Sequence, residues 1–99
     1  MSRYVLVGRA ETDLDEIWCY IAQHDLPAAD RMIDRLIERF EMLARQPGAG
    51  DLLGHVSPGL RCCPVGNYVV FYETDEFQIC IKRVLHGARD LRKLLGGDE

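Results

Sequence analysis

The sequence contains no long apolar run. Its longest apolar stretches, such as residues 68–72, fall far short of the roughly 20 residues that a membrane-spanning helix needs. The short polar start leads directly into a strand-like segment, which is unlike a secretory signal peptide. These two absences predict a cytoplasmic protein that stays out of the membrane.

The sequence also lacks an excess of positive charge. Its formal net charge is -4 at pH 7, whereas nonspecific nucleic-acid binding draws most of its energy from Lys and Arg that neutralise phosphates. We therefore expect no strong direct binding to nucleic acid. Positive charge is still concentrated in residues 82–93, where one acidic side chain, Asp90, accompanies five basic ones: Lys82, Arg83, Arg89, Arg92 and Lys93.

Metal-binding and catalytic motifs are missing as well. The sequence has no C-x-x-C pair, no Cys/His cluster of zinc spacing, no P-loop, no nucleophile elbow and no dinucleotide-binding fingerprint. We therefore expect no metal, no cofactor and no catalytic residue. The four cysteines are Cys19, Cys62, Cys63 and Cys80. Three of the four lie in stretches with the pattern of buried helix or strand, which favours reduced thiols used as small hydrophobic groups.

The first half of the sequence predicts a strand and two helices. The β-prone residues 4–7 end at Gly8 and predict a short strand. Apolar residues then recur at helical spacing until about His24, and a second helical stripe follows Asp25 and ends at Pro47. Because the connection between them is so short, the two helices should form an antiparallel hairpin.

The second half predicts a loop followed by strands. Residues 46–60 are rich in Gly and Pro and should form an ordered loop. Residues 60–65 and 68–72 are two strands joined by a tight turn at Gly66-Asn67, and the second strand is apolar on both faces, as in the centre of a sheet. A last strand alternates apolar and polar residues from Phe77 to about Leu85, and a short helix or tail follows it.

The predicted fold is α+β. Residues 1–99 should form one domain, in which a helical hairpin packs on a small, mainly antiparallel sheet in the order β-α-α-β-β-β, with a short C-terminal helix or tail. The spacing of apolar residues predicts the core between hairpin and sheet: Leu14, Ile17, Trp18, Ile21, Ile33, Leu36, Ile37, Phe40, Val70 and Ile81.

Three groups of polar residues are candidates for function. Carboxylates at positions 13, 15 and 16 fall on the polar side of the first helix, which predicts a solvated face. The histidines at positions 24, 55 and 86 are typical of capping or hydrogen-bonding groups. A basic ridge with a spacing of four residues follows the second helix and is either an exposed face with weak ion pairs or a surface for an acidic partner: Arg31, Arg35 and Arg39.

Several segments carry a more specific pattern when they are taken in order. They are Ala10-Glu11-Thr12-Asp13-Leu14-Asp15-Glu16-Ile17-Trp18 with Tyr20-Ile21, the helix end at Leu43 and Pro47, Gly66-Asn67-Tyr68-Val69-Val70-Phe71-Tyr72, and Arg83-Val84-Leu85-His86-Gly87-Ala88-Arg89-Asp90-Leu91. Together they resemble ParE-type toxins of the RelE/ParE toxin–antitoxin superfamily. The resemblance covers nearly the whole chain.

The resemblance implies a bacterial toxin that poisons DNA gyrase by steric capture and is not an enzyme. It also implies a ParD-like antitoxin that holds the toxin inactive in a hetero-oligomer. Taken with the charge pattern, it predicts an antitoxin-binding surface at Arg31, Arg35 and Arg39. The predicted target-binding residues are Arg61, Arg83, His86, Arg89, Arg92 and Lys93.

Two other functions stay open at this point. A RelE-like toxin, which cleaves mRNA on the ribosome, needs several cations around the scissile phosphate and a group that takes the 2′-OH proton. RelE-like toxins commonly carry an arginine where this sequence has Val69, and lysines where it has Leu60 and Cys62. The residues that could replace them are only Arg61, His86 and Arg89. The other alternative is a nontoxic module that only binds a partner helix.

Overall fold

The structure is a computed structural model that describes residues 3–90. Its elements are β1 (Tyr4–Leu6), α1 (Ala10–Ala22), α2 (Leu26–Arg45), a 3-10 turn (Pro47–Ala49), β2 (Asp51–Leu52), β3 (Arg61–Val65), β4 (Tyr68–Thr74) and β5 (Ile79–His86). β2 is an addition to the predicted order and lies in the stretch that was expected to be a loop. The predicted C-terminal helix or tail lies outside the described residues.

The strands form one five-stranded sheet in the order β1-β5-β4-β3-β2. β1 pairs with β5 in parallel, and the other three pairings are antiparallel. β4 lies in the middle of the sheet, as its two apolar faces predict. The turn between β3 and β4 uses Gly66, whose φ of +59° is a conformation that L side chains rarely adopt. The predicted α+β fold is confirmed.

The two helices begin and end at local signals. A side-chain oxygen of Asp25 accepts a hydrogen bond from the backbone N–H of Ala28 at 3.1 Å, which caps α2, and Pro27 occupies its first turn. α2 ends at Arg45, two residues before Pro47. Neither helix is long and apolar enough to cross a membrane, and the described residues contain no other α-helix.

The sheet has a different cover on each face. Both helices contribute to the larger cluster, which includes Val70, Tyr72 and Ile81 from the strands. On the other face, Leu53 and Val56 of the loop before β3 pack on a smaller cluster. The smaller cluster comprises Leu60, Phe71 and Leu85. The loop therefore closes the side of the sheet that the helices leave open.

Most of the predicted core is confirmed. Five of its residues are buried, namely Ile17, Leu36, Phe40, Val70 and Ile81, and four more pack against them while partly buried, namely Leu14, Ile21, Ile33 and Ile37. The prediction for Trp18 was wrong. Its ring is half-buried, and its Nε1 donates a hydrogen bond to Asp30 Oδ1 at 2.9 Å, because an indole N–H needs a polar partner.

A β-bulge in β5 changes which side chains face the helices. Phe71 pairs with Arg83 while the next residue of β4, Tyr72, pairs with Ile81, so Lys82 is an extra residue on β5. The alternation predicted from Phe77 onward therefore ends at Ile81. Phe77 itself was also misplaced, because it lies before the strand and is 64% exposed.

Candidate functional site

A buried carboxylate joins the first turn of α1 to β5. Asp13 is 4% exposed, which contradicts its predicted place on a solvated face. Its Oδ2 accepts hydrogen bonds from Arg83 Nε at 2.8 Å and from the backbone N–H of Val84 at 3.0 Å, and its Oδ1 accepts one from Arg83 Nη2 at 3.1 Å. The polar side of α1 is therefore not wholly solvated, because part of it lies against the bulge in β5. Asp15 and Glu16 are exposed, as predicted.

The pair between Asp13 and Arg83 is two-pronged and only partly open to solvent. The Arg83 side chain is 33% exposed. Its hydrogen bonds to Asp13 raise its pKa above the ordinary value, and desolvation opposes that effect. Nη1 is the one guanidinium nitrogen that this pair does not use. Arg83 therefore serves mainly to join α1 to the sheet, a contact that we call the clamp. This pairing leaves only the Nη1 edge of its guanidinium free to bind another protein.

Residues 86–90, which we call the terminal turn, follow from the end of β5. The backbone N–H of Arg89 donates to His86 Nδ1 at 3.1 Å, and the backbone N–H of His86 donates to Asp90 Oδ2 at 3.1 Å. A backbone hydrogen bond of 2.8 Å from Asp90 to the His86 carbonyl closes the same turn. Because Nδ1 accepts this hydrogen bond, Nε2 is the ring nitrogen that the terminal turn leaves for another partner.

Arg89 is held on the outside of the terminal turn. Its guanidinium carbon lies 5.0 Å from the ring centroid of Tyr20, near the end of α1, which is cation–π geometry. Its Nε lies 3.5 Å from Asp90 Oδ1, and 49% of its side chain is exposed. Arg89 is neither a free surface charge nor a buried structural group.

A cleft of about 440 Å³ runs between the first half of α1 and the end of β5. Its charged lining comprises Arg9, Asp13, Glu16, Arg83, Arg89 and Asp90. The structure therefore brings together Arg83 and Arg89, and His86 lies within the terminal turn beside them. Arg92 and Lys93, which were predicted to belong to the same patch, lie outside the described residues.

Arg61 does not join this group. It pairs with Tyr72 on β4, whereas His86 pairs with Tyr68, four residues away, or roughly 13 Å along the strand. Arg61 Nη1 instead donates to the carbonyl of Gly50 at 2.8 Å and contacts that of Gly48 at 3.5 Å. Arg61 and His86 therefore lie at opposite ends of β4, so they do not form the small ribonuclease centre considered above.

The loop that Arg61 holds is tightly packed. The Tyr72 hydroxyl donates to the Pro47 carbonyl at 2.8 Å and accepts from the backbone N–H of Gly50 at 2.9 Å. A Cβ atom at Gly50 would lie only 2.6 Å from both the Cys62 carbonyl oxygen and the Tyr72 hydroxyl. Arg61 thus contributes to the structure at the end of the sheet that is remote from the terminal turn.

The basic ridge on α2 is only partly free. Arg31 and Arg35 are exposed, whereas Arg39 is half-buried. Arg39 Nη1 donates to Cys63 Sγ and to the Pro64 carbonyl, both at 3.0 Å. Cys63 is a buried free thiol, Cys62 and Cys80 are half-buried, and Cys19 is exposed, so the expected burial holds best for Cys63.

Comparison with known proteins identifies the family. A sequence model described as the ParE toxin of the type II toxin–antitoxin system parDE matches residues 4–91. The chain belongs to the ParE toxin family. It is therefore the toxin component of a type II toxin–antitoxin system, as the resemblance implied.

Relatives of this ParE toxin match it along nearly their whole length. It is 37% identical over 97 residues to Toxin ParE1 of Caulobacter vibrioides, covering 97% of this chain and 100% of that protein. It is 31% identical over 96 residues to Toxin ParE1 of Mycobacterium tuberculosis, covering 95% and 98%. A solved structure, described as the chromosomal ParDE TA system from P. aeruginosa, superposes with a TM-score of 0.72 at 21% identity and covers 87% of this chain and 96% of that one. The superposition supports the fold.

Proposed function

We propose that this ParE toxin inhibits DNA gyrase by binding it in the cytoplasm, with no catalysis of its own, and that a ParD-like antitoxin neutralises it. Family membership supports a toxin, and the solved relative is described as part of a ParDE system. The observation that carries the binding mechanism is the presentation of Arg89. Its guanidinium is half exposed yet restrained by Tyr20 and Asp90, as expected of a residue that makes an orientation-specific contact.

The proposed target surface is built around the terminal turn. Arg89 and the Nε2 side of His86 are its centre, and the free edge of Arg83 lies in the adjoining cleft. Arg92 and Lys93 extend the surface in sequence. Arg61 is left out of it, because its guanidinium is engaged with the loop at the other end of β4.

The proposed antitoxin surface is the ridge on α2. Arg31 and Arg35 present exposed positive charge, and a second cleft of about 390 Å³ lies beside Arg35 and Arg39. An acidic segment of the antitoxin would be attracted to this ridge. Antitoxin and target would then contact different arginines of the toxin.

Supercoiling by purified gyrase tests the proposal. We expect the wild-type toxin to inhibit it and Arg89→Glu to weaken inhibition by at least about tenfold, with folding and antitoxin capture retained, because a half-exposed charge contributes little to stability. Arg3→Glu is the matched control, since Arg3 is an exposed arginine beside the start of β5, at the other end of that strand. Wild-type inhibition by folded Arg89→Glu would remove Arg89 from the site, and mRNA cleavage without gyrase inhibition would refute the proposed target.

A further inference from the structure

The orientation of Arg89 depends on one neighbouring carboxylate. Asp90 Oδ2 accepts the hydrogen bond from the backbone N–H of His86, and Asp90 Oδ1 lies 3.5 Å from Arg89 Nε. The two oxygens therefore act on the two ends of the same short segment. A further hydrogen bond of 2.8 Å, from the backbone N–H of Gly87 to the Asn67 carbonyl, ties this segment to the turn between β3 and β4.

Restraint of this kind matters for a long side chain. A free arginine loses much of its rotamer entropy when it is fixed in a complex. In this protein the terminal turn fixes the backbone of Arg89, and the ring of Tyr20 and the carboxylate of Asp90 flank its guanidinium. Part of the entropy loss is thus incurred during folding and not during binding.

We propose that Asp90 is a positioning residue for target binding: its carboxylate closes the terminal turn on the His86 N–H and thereby holds Arg89 over Tyr20. This inference rests on the proposed function, in which Arg89 contacts gyrase. Asp90 itself touches Arg89 and His86 and need not touch the target.

Simple electrostatics makes the opposite prediction. If the target selects this surface only for positive charge, then the negative charge of Asp90 weakens binding and its removal should strengthen it. If Asp90 acts by closing the turn, then its removal weakens binding although the surface becomes more positive. An asparagine at this position separates the two effects, because it loses the charge and keeps an oxygen that accepts the His86 hydrogen bond.

The chain offers a matched control for this substitution. Asp75 closes the turn between β4 and β5 in a similar way, because its Oδ1 accepts hydrogen bonds from the backbone N–H groups of Phe77 at 2.8 Å and Gln78 at 2.9 Å. That turn lies at the start of β5, at the opposite end of the strand from His86. Asp75→Ala therefore removes a turn-closing carboxylate without touching Arg89.

The experiment measures gyrase affinity and amide hydrogen exchange on the full chain. We expect Asp90→Ala to lower affinity by at least about tenfold and to speed exchange at the His86 amide, whereas Asp90→Asn stays within about threefold of wild type. Asp75→Ala should speed exchange at Phe77 and Gln78 and leave gyrase affinity unchanged. In an Arg89→Ala background, Asp90→Ala should have no more than about a twofold further effect, since the two residues act through one contact.

Several results would overturn the proposal. Folded Asp90→Ala that binds gyrase as tightly as wild type or more tightly excludes a positioning role, and an equal loss in Asp90→Asn excludes turn closure as its cause. Wild-type toxin that does not bind gyrase overturns both the proposed function and this role of Asp90. Unchanged protection of the His86 amide in Asp90→Ala overturns only the role of Asp90.

Discussion

Within the part of the chain that the structure describes, the arginines at the end of β5 are held by neighbouring side chains, whereas the two exposed arginines of the α2 ridge are not. Arg83 is bound by Asp13, and Arg89 is flanked by Asp90 and Tyr20. On α2, by contrast, neither Arg31 nor Arg35 forms a salt bridge with any of residues 3–90. Restrained charges suit a contact that depends on orientation, whereas unrestrained charges attract a partner over about a Debye length without fixing its pose. Under the proposed function, this difference would separate the target surface, which needs a precise contact, from the antitoxin surface, which attracts its partner by charge.

The largest expected effect concerns the apolar side of α2. Leu36→Ala should reduce the free energy of unfolding by about 4 kcal/mol, in the upper part of the usual range for such substitutions, because Leu36 is fully buried. Urea denaturation measures this. The exposed neighbour provides the control, since Arg35→Ala should change stability by less than about 0.5 kcal/mol.

The second effect concerns the ion pair at the end of β5. Asp13→Ala should lower the free energy of unfolding by about 3 kcal/mol, because it leaves the Arg83 charge and the Val84 N–H without their partner. This loss is at the low end of the range for buried ion pairs, since a third of the Arg83 side chain is exposed to solvent. Glu16→Ala on the same helix is the control and should be nearly neutral. Equal stabilities of the two variants in urea would show that Asp13 does not clamp α1 to the sheet.

A smaller effect on stability, with a clear effect on kinetics, is expected on the ridge. Replacing Arg31, Arg35 and Arg39 by glutamate should slow antitoxin association at low ionic strength by at least about tenfold and weaken its dependence on salt. Gyrase affinity should be unchanged. Stopped-flow mixing at two salt concentrations measures the association rates. Identical rates for the wild-type toxin and the triple variant would show that the antitoxin does not bind at this ridge.

The smallest effect is a change in the titration of Tyr68. Burial raises the pKa of Tyr68 above its ordinary value, and the neighbouring Arg89 guanidinium opposes that shift. Arg89→Gln should therefore raise the pKa of Tyr68 further, as measured by phenolate absorbance with Tyr68→Phe to assign the signal. A raised pKa in the folded state means that stability is unaffected below the ordinary pKa of about 10 and falls as the pH rises through the folded-state value. An unchanged Tyr68 titration in Arg89→Gln would place Arg89 away from that ring.

The fold could be predicted from local patterns because most of its elements carry their own signals. The stripe of α2 leads to Leu36 and Phe40 in the core, and the glycine of the turn before β4 has the conformation that such a turn needs. β2 was missed because it has only two residues, both exposed, and so shows no alternation.

The candidate site was harder to predict because it depends on distant partners. The cluster of basic residues after β5 was visible in the sequence. Nothing near Asp13, however, indicates that its partner is Arg83, which lies 70 residues later in the chain. The bulge at Lys82 also breaks the alternation from which facing residues are inferred. Arg61 was placed with the target-binding residues because of its positive charge. In the structure its guanidinium donates to the carbonyl of Gly50, a contact that the sequence does not indicate.

The parallel pairing of β1 with β5 has a consequence during translation. At about 5 to 20 residues per second, the 70 residues that separate Asp13 from Arg83 take roughly 4 to 14 s to synthesise. Throughout that interval β1 lacks the only strand that it pairs with among residues 3–90, and Asp13 lacks its arginine. A nascent chain that still lacks β5 is therefore unable to assemble the clamp or the terminal turn, and the proposed target surface forms only after β5 has been made.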